Sequence, residues 1–193
     1  MLIGNTFYTS SRSEWRKWLS RHHDSESEIW LIYYRKDSGK PRISYDDAVL
    51  EALSFGWIDS TIKKIDDERF AQRFSPRKSK STLSQMNRER INELIKNGLM
   101  TKAGLQAIAH VYNPNSVQEK FDIPKDVLHA LKANPDAWKH FQKMPEAYQR
   151  IRIAYIESRK RHGIEMYQKA LSHFIKITAQ NKKIGFVKER VNT

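Results

Sequence analysis

From Ser44 to Arg77 the chain reads SYDDAVLEALSFGWIDSTIKKIDDERFAQRFSPR. The first part predicts a helix, because Ser44 can cap its N-terminus and Asp47 follows in the first turn, where the helix dipole favours negative charge. Gly56 is the residue type that permits a left-handed turn after the last helical residue. The stretch therefore predicts a capped helix that ends at Gly56.

Residues 58–74 predict a β-hairpin, since two alternating segments flank a turn at residues 66–67. A shift of one residue in the pairing moves a whole strand face to the other side of the sheet. The pattern leaves two registers open, in which Asp59 lies opposite either Arg73 or Phe74. The first register would pair a carboxylate with a guanidinium, and the second would not.

The rest of the front half predicts an α+β domain over residues 1–112. The segment Glu28–Arg35 is dense in aromatic and β-branched residues and predicts a central strand. A short helix with Trp15 and Trp18 on one face precedes it, and further helices are predicted after Ser81 and from Thr101. Together these elements predict a small antiparallel sheet with packed helices.

The rear of the chain predicts an all-helical region. Residues 113–119 have the composition of a linker, and residues 120–193 contain helical patterns only. Pro124, Pro135 and Pro145 each introduce a helix at its first turn, where the missing N–H has no partner to lose. The predicted organisation is thus an α+β domain, a linker and a helical C-terminal region.

Length and composition favour a chain that folds without covalent support. It has 193 residues, of which 39% are hydrophobic, and it contains no cysteine. Disulfides, thiolate metal sites and a cysteine nucleophile are therefore excluded. No apolar run reaches the roughly 18 residues of a membrane span, and the N-terminus lacks the pattern of a secretory signal. We expect a cytoplasmic protein without membrane insertion.

The net charge of +13 is distributed unevenly, with +4 in residues 1–100 and +9 in residues 101–193. The segment Arg69–Lys80 has five cations and no acid, and the segment Arg150–Arg190 has eleven cations and three acids. Such segments can bind nucleic acid or anionic lipid in a salt-dependent manner. They can equally form a solvated basic face, and composition does not separate the two interpretations.

Several motifs together resemble one bacterial family. The chain has Phe55-Gly56-Trp57-Ile58-Asp59, then Arg73-Phe74-Ser75-Pro76-Arg77, and later Asn97-Gly98-Leu99-Met100. A further segment, Ile123-Pro124-Lys125-Asp126-Val127, opens the helical tail. In this order and spacing the motifs resemble the YdeI/OmpD-associated proteins, whose family name refers to bacteriocin protection. The resemblance implies an accessory protein that supports tolerance of bacteriocins or cationic antimicrobial peptides.

The candidate ligand-binding residues are Trp57, Asp59, Arg73, Arg77 and Asn87. Arginine can bind a phosphate or carboxylate through two parallel N–H groups, and tryptophan offers a face for stacking. The expected partner is an anionic small molecule or a protein, and oligomeric state stays open. The alternative is that Trp57 packs the junction of helix and hairpin, while Asp59 pairs with a strand arginine for structural reasons.

Two other function classes remain open from the sequence. One is a nucleic-acid-binding module that uses the basic surface, and the other is an enzyme whose site lies around Trp57, Asp59, Arg73 and Arg77. The seven histidines have no i, i+4 or HExxH spacing, so no metal is expected. Phosphate-binding glycine loops and the serine-hydrolase GxSxG motif do not occur, and no cofactor is expected.

Overall fold

The protein is described by a computed structural model that covers residues 2–113 and 121–185. The chain divides into two compact units, Met1–Ser116 and Val117–Thr193, each with its own hydrophobic core. Apart from Asn113, the predicted linker 113–119 lies outside the described residues. The position of that linker stays a prediction.

A four-stranded sheet forms the centre of the N-terminal unit. Its strands are β1 (Thr6–Tyr8), β2 (Ile29–Tyr34), β3 (Trp57–Lys64) and β4 (Arg69–Pro76), in the order β1-β2-β4-β3. β1 runs parallel to β2, and the other neighbours are antiparallel. The predicted α+β class and the predicted central strand are confirmed. Strand β1 is not predicted from the sequence, because three residues are too few to show an alternating pattern.

Four helices accompany the sheet: α1 (Arg12–His22), α2 (Tyr45–Ser54), α3 (Gln85–Lys96) and α4 (Lys102–Ile108). Each is capped by a hydroxyl side chain that accepts a backbone N–H, and the caps are Ser11, Ser44, Ser84 and Thr101. The helix that is predicted after Ser81 begins at Gln85. Ser84 is the cap of α3, whereas the Ser81 hydroxyl accepts a hydrogen bond from the Arg77 side chain.

Helices α1 and α2 pack on one face of the sheet, which we call the inner face. Trp15 is fully buried there, and its ring lies 5.4 Å from that of Phe74. The Trp15 indole N–H donates to the carbonyl of Ala48 at 3.0 Å, which joins the two helices. Glu51, on α2, is buried and bound by two arginines of α1, with Arg16 at 2.6 Å.

The β3–β4 hairpin contains a β-bulge. Asp59 lies opposite Phe74 and Ile62 lies opposite Gln72, so two residues of β3 face Arg73 alone. Because the bulge takes up one extra residue, Trp57 and Asp59 before it lie on the same face of the sheet as Ile62 and Lys64 after it. Of the two registers that the sequence leaves open, the structure has the one in which Asp59 lies opposite Phe74.

The C-terminal unit consists of helices in its described part. They are α5 (Lys125–Lys132), α6 (Pro135–Phe141), α7 (Glu146–Ser158) and α8 (Ile164–Ala179), with a short 3-10 turn at Arg159–His162. Pro135 is the first residue of α6, as predicted, but Pro124 and Pro145 each lie one position before their helices. A proline there sets the direction of entry rather than occupying the first turn.

The core of this unit is formed by the apolar sides of all four helices. Its fully buried members include Val127, Leu131, Phe141 and Phe174. None of the helices in residues 2–113 and 121–185 has the length and apolar character needed to cross a bilayer.

Candidate functional site

Asp59 lies on the inner face of β3, where the N-terminus of α2 meets the sheet. Its Oδ2 accepts a hydrogen bond from the Tyr45 hydroxyl at 2.7 Å. Tyr45 is the first residue of α2, and its side chain is 43% exposed. Burial and the hydrogen bond to Asp59 raise the pKa of Tyr45, which keeps the phenol protonated as the donor.

Arg73 lies on the opposite face of the sheet and forms no ion pair with Asp59 in the described part of the chain. Its Nε lies 2.7 Å from Oε2 of Glu28, and Nη1 is 3.3 Å from the hydroxyls of both Ser60 and Ser75. The hydrogen bond from Arg73 lowers the pKa of Glu28. The predicted grouping of Arg73 with Asp59 is therefore corrected by the register of the hairpin.

Arg77 directly follows β4, and a backbone hydrogen bond holds it in the interior of the protein. Its N–H donates to the carbonyl of Gly56 at 2.9 Å, and the residue is only 7% exposed. Nη1 donates to the Ser81 hydroxyl at 3.1 Å and to the carbonyl of Thr82 at 2.8 Å. Nε and Nη2 are buried without a hydrogen-bond partner. Burial lowers the pKa of Arg77, and the negative charge of Asp59 opposes that shift.

Tyr33 is the second buried group with an unpaired polar atom in residues 2–113. The residue is 2% exposed, its ring stacks on Phe70 at 5.2 Å, and its hydroxyl has no partner. Burial raises the pKa of Tyr33, and the nearby Tyr45 and Asp59 raise it further. Asp59 thus acts electrostatically on both Arg77 and Tyr33. We call Asp59, Arg77, Tyr33 and Tyr45 the Asp59 site.

Asn87 lies next to this site through Arg90 of α3. Arg90 donates from Nη1 to Oδ1 of Asn87 at 3.3 Å and from Nη2 to Oδ1 of Asp46 at 2.8 Å. The positive charge of Arg90 lowers the pKa of Tyr45 against the larger effect of burial. Asn87 therefore accepts a hydrogen bond from an arginine near the site, whereas the sequence predicts direct ligand contact.

Trp57 is a core residue rather than an exposed stacking face. It is 1% exposed, and its indole N–H donates to the carbonyl of His23 at 3.0 Å. Its ring meets Trp18 edge to face at 5.8 Å. The alternative interpretation of Trp57, as packing at the junction of helix and hairpin, agrees with these contacts.

Three residues near Asp59 were missed by the sequence analysis: Tyr33, Tyr45 and Arg90. Tyr45 directly follows a helix cap, and its position on the first turn of α2 gave a signal that could have been used. Tyr33 and Arg90 occupy ordinary strand and helix positions, so no local pattern distinguishes them. Only the tertiary fold brings them toward Asp59.

The site combines one carboxylate, two phenols and a buried guanidinium. The guanidinium can bind an anion, the phenols can donate or accept hydrogen bonds, and the carboxylate can accept a proton or a hydrogen bond. Within the described residues, no group of three His, Cys, Asp or Glu side chains is placed to hold a metal ion.

The region that contains this site matches a known protein family. Residues 7–107 match the profile of a family described as a domain of unknown function, DUF8412, which includes more than half of the 193 residues. The chain belongs to the DUF8412 family. Every residue of the Asp59 site lies within the DUF8412 match.

A second profile matches the tail. Residues 120–181 match the family described as bacteriocin-protection, YdeI or OmpD-associated. This match confirms the resemblance that the sequence predicted. The motifs of the front half, on which that resemblance also rested, lie in the DUF8412 match instead. Searches of curated proteins and of solved structures find no match.

The YdeI/OmpD-associated region contains its own polar cluster around Asp126, near the start of α5. Oδ2 of Asp126 accepts from the Tyr167 hydroxyl at 2.7 Å and from Nζ of Lys160 at 3.0 Å. These two hydrogen bonds hold the pKa of Asp126 at about 2. Burial and the bond to Asp126 raise the pKa of Tyr167 to about 12. All three groups have partners, so we regard the cluster as structural.

Arg152 of the same region fastens the segment that follows α8. The residue is 6% exposed, and its Nη2 donates to the carbonyls of Ile184 and Gly185, both at 2.6 Å. The Tyr148 hydroxyl accepts the N–H of Ile184 at 3.0 Å. The Nε of Arg152 is buried without a hydrogen-bond partner among the described residues, so the residue is buried rather than part of a charged surface.

Proposed function

We propose that the DUF8412 region binds an anionic small molecule at Arg77, and that the protein is an accessory factor in tolerance of bacteriocins or cationic antimicrobial peptides. The observation that supports binding is the buried Arg77 side chain, in which Nε and Nη2 have no partner. A buried charged donor without a partner is destabilising, and an anionic ligand would satisfy it. The tolerance role rests on the family description of the tail.

The pairing and burial of the three arginines in the basic segment 69–80 favour a small anion over nucleic acid, although Lys78 and Lys80 of that segment are exposed. Of the basic segment 69–80, Arg69 is bound by Asp66, Arg73 is bound by Glu28, and Arg77 is buried. A polyanion requires several exposed cations along its backbone. Duplex and single-stranded DNA, titrated at two salt concentrations, test this alternative, and tight binding that weakens steeply with salt would favour it.

The enzyme alternative has weaker support than binding. Its candidate residues do not form one group, because Arg73 lies on the outer face and Trp57 is enclosed in the core. What remains near Asp59 is a hydrogen-bonded phenol and a guanidinium, which can bind and orient a ligand without a nucleophile.

Binding is tested by calorimetric titration of the protein with inorganic phosphate and with acetate. We expect measurable binding of at least one anion and a loss of at least about tenfold in Arg77→Gln, because the substitution removes the charge-assisted donors. Arg73→Gln is the matched control, since it removes an arginine from the opposite sheet face. Equal loss in both variants, or no binding by the wild type, would contradict the proposed site.

The cellular role is tested by deleting the gene and measuring survival in a cationic antimicrobial peptide. Complementation with the wild type should restore survival, whereas Arg77→Gln should not if ligand binding is required. Fractionation of the complemented cells tests the proposed cytoplasmic location. Normal survival of the deletion strain would remove the tolerance role and leave the binding site to be judged by titration.

A further inference from the structure

The C-terminal unit has an open groove that runs along α8. Its floor contains Leu171, Ile175 and Ala179, which recur every four residues on one side of α8, and Ala130 of α5. These four residues are partly buried, and the groove has a volume of about 580 Å³. Binding sites for small molecules have volumes of this order. The helical unit therefore has room for a ligand of its own.

The amide and ammonium groups of the groove offer hydrogen-bond donors. Oδ1 of Asn134 accepts the backbone N–H of Ala137 at 3.0 Å, so the NH₂ group of Asn134 remains for another partner. Oε1 of Gln180 accepts from Nζ of Lys182 at 3.2 Å, which leaves the NH₂ group of Gln180 in the same state. Lys176 also lines the groove, and none of the described residues that line it is acidic. The complementary ligand group is therefore an acceptor.

The groove is positively charged at the C-terminal end of α8. Lys176 and Lys182 are both exposed and have no ion-pair partner among the described residues. Gln180 lies beside both, because it follows Lys176 by one helical turn and binds Lys182. Residues 121–185 together hold thirteen Lys and Arg against six Asp and Glu. An anionic group would be attracted to this end of the groove, and a cationic group would be repelled.

The floor sets the length of the apolar part of the ligand. Leu171 and Ala179 are eight residues apart on one helix, which corresponds to about 12 Å. An extended carbon chain advances about 1.2 Å per bond, so about eight to ten carbons cover this distance. A bilayer is contacted by apolar side chains that protrude from a surface, whereas these side chains form the floor of a depression. A single alkyl chain fits this shape better than a membrane.

We propose that this groove binds a free medium-chain fatty acid. Its carboxylate is bound by Lys176, Gln180 and Lys182, and its alkyl chain lies on Leu171 and Ile175. The two alanines of the floor leave the space for that chain, because their side chains end at Cβ. The site belongs to the YdeI/OmpD-associated region and uses no residue of the DUF8412 region, so it is separate from the anion site at Arg77.

The test is a calorimetric titration with acetate, hexanoate, octanoate, decanoate and dodecanoate, each below its micelle concentration. We expect the affinity to rise at least about twofold per methylene as far as decanoate and then to level off, because the open groove buries only part of each CH₂ group. Decyltrimethylammonium has a chain of the same length with a positive head. It should bind at least about tenfold more weakly than decanoate, because the head would face Lys176 and Lys182.

Two pairs of variants locate the binding. Ala130→Leu fills the floor and should weaken decanoate binding at least about fivefold, whereas Ala133→Leu, at an exposed position at the end of the same helix, should not. Lys176→Gln should weaken it at least about threefold. Lys169→Gln is the control for charge, since Lys169 is exposed on α8 and does not line the groove. If circular dichroism shows that Ala130→Leu is unfolded, the lysine pair decides.

Other occupants of the groove give different results. Binding to vesicles of phosphatidylglycerol without binding of decanoate would assign the basic face to a membrane. Binding of polyglutamate that exceeds binding of decanoate would assign it to an acidic protein. A dimer in sedimentation velocity that Ala130→Leu dissociates would assign the groove to a second copy of the chain. Each of these results would overturn the fatty-acid site.

The remaining outcomes separate this site from the proposed function. Arg77→Gln should retain decanoate binding, and loss of binding in that variant would place the carboxylate at Arg77 and overturn the groove. Absence of decanoate binding, an affinity that does not depend on chain length, or equal losses in Lys169→Gln and Lys176→Gln would also overturn it. None of these three results bears on the titration of Arg77 with phosphate, so either site can fail alone.

Discussion

At the scale of single residues, Arg73 and Arg77 show how position decides what an arginine does. Both belong to the same motif, yet Arg73 is bound by Glu28 at 2.7 Å, and Arg77 is buried with two donor atoms unpaired. A surface ion pair contributes little to stability, while an unpaired buried charge is costly. Within residues 2–113, Arg77 is accordingly the charged residue whose burial requires a functional explanation.

Tyr45→Phe tests the orienting bond to Asp59. We expect the free energy of unfolding to change by less than about 1 kcal/mol, because the lost hydrogen bond lies near the surface. Anion binding at Arg77 should weaken, since Asp59 loses the donor that holds it and its negative charge can then move toward the arginine. Urea denaturation and calorimetric titration give the two quantities.

Tyr8→Phe is the control for that variant. Tyr8 is similarly exposed and donates to the carbonyl of Pro41 at 2.6 Å, but it has no bond to Asp59. Its loss should affect stability to a similar extent and leave binding unchanged. A drop in binding with Tyr8→Phe as well would show that the effect is not specific to Asp59.

Asp126 predicts how the tail responds to acid. Its pKa is about 2 in the folded state, below the ordinary value of 3.8, so its hydrogen bonds stabilise the fold above about pH 4. That contribution is lost as pH falls from about 4 toward 2, when the carboxyl becomes protonated. Asp126→Asn should lower stability at neutral pH and flatten the decline between pH 4 and 2.

Thermal unfolding of both proteins across that pH range provides the measurement. The charged partner Lys160 is largely solvated, so the effect should shrink in high salt. An equally steep decline in Asp126→Asn would assign the acid sensitivity to other carboxyl groups.

At the scale of elements, Gly56 allows α2, α4 and the hairpin to meet. It has a φ of +77°, and a Cβ placed there would lie 2.4 Å from the Cβ of Ala107. Gly98 also has a positive φ, +65°, but open space surrounds it. A comparison of substitutions at the two glycines therefore distinguishes the effect of backbone strain from that of steric contact.

Gly98→Ala should destabilise the protein by about 1 kcal/mol through backbone strain alone. Gly56→Ala should cost clearly more, because strain and a steric clash with α4 add together. Urea midpoints of the two variants measure the difference. Equal losses would mean that α4 moves aside without resistance.

The elements show which features a sequence can predict. The Ser44 cap, the central strand and the hairpin follow from local rules, since Ser44, Gly56 and residues 66–67 act on their immediate neighbours. The face of Asp59 was not, because alternation fits both registers and the bulge opposite Arg73 adds one residue without a signal. Of the candidate site, the sequence shows the residue types, while the register decides that Asp59 and Arg73 lie on opposite faces of the sheet.

At the scale of the whole molecule, the two cores contain separate sets of residues. Phe141 is 1% exposed in the C-terminal core, so Phe141→Ala should destabilise that unit by about 3–5 kcal/mol. Anion binding at Arg77 should persist, because the cavity that the substitution creates lies in the C-terminal unit, whereas Arg77 belongs to the N-terminal unit. Denaturant titration, followed by tryptophan fluorescence and by ligand binding, would report the two units separately.

Coincident loss of ligand binding and of helical structure in Phe141→Ala would contradict this expectation. It would mean that the DUF8412 region does not hold its site without an intact tail. The variant thereby tests whether the two matched families are independent in stability.

The bulge in β3 has a consequence for how such chains can diverge. Since two residues there oppose one, deleting either would restore an unbroken ladder in which Asp59 still lies opposite Phe74. Deleting both would instead place Asp59 opposite Arg73 and turn its carboxylate to the face away from Tyr45. A relative with a hairpin two residues shorter could keep every motif and yet lack this arrangement, so strand length is a better guide than motif identity when function is transferred between relatives.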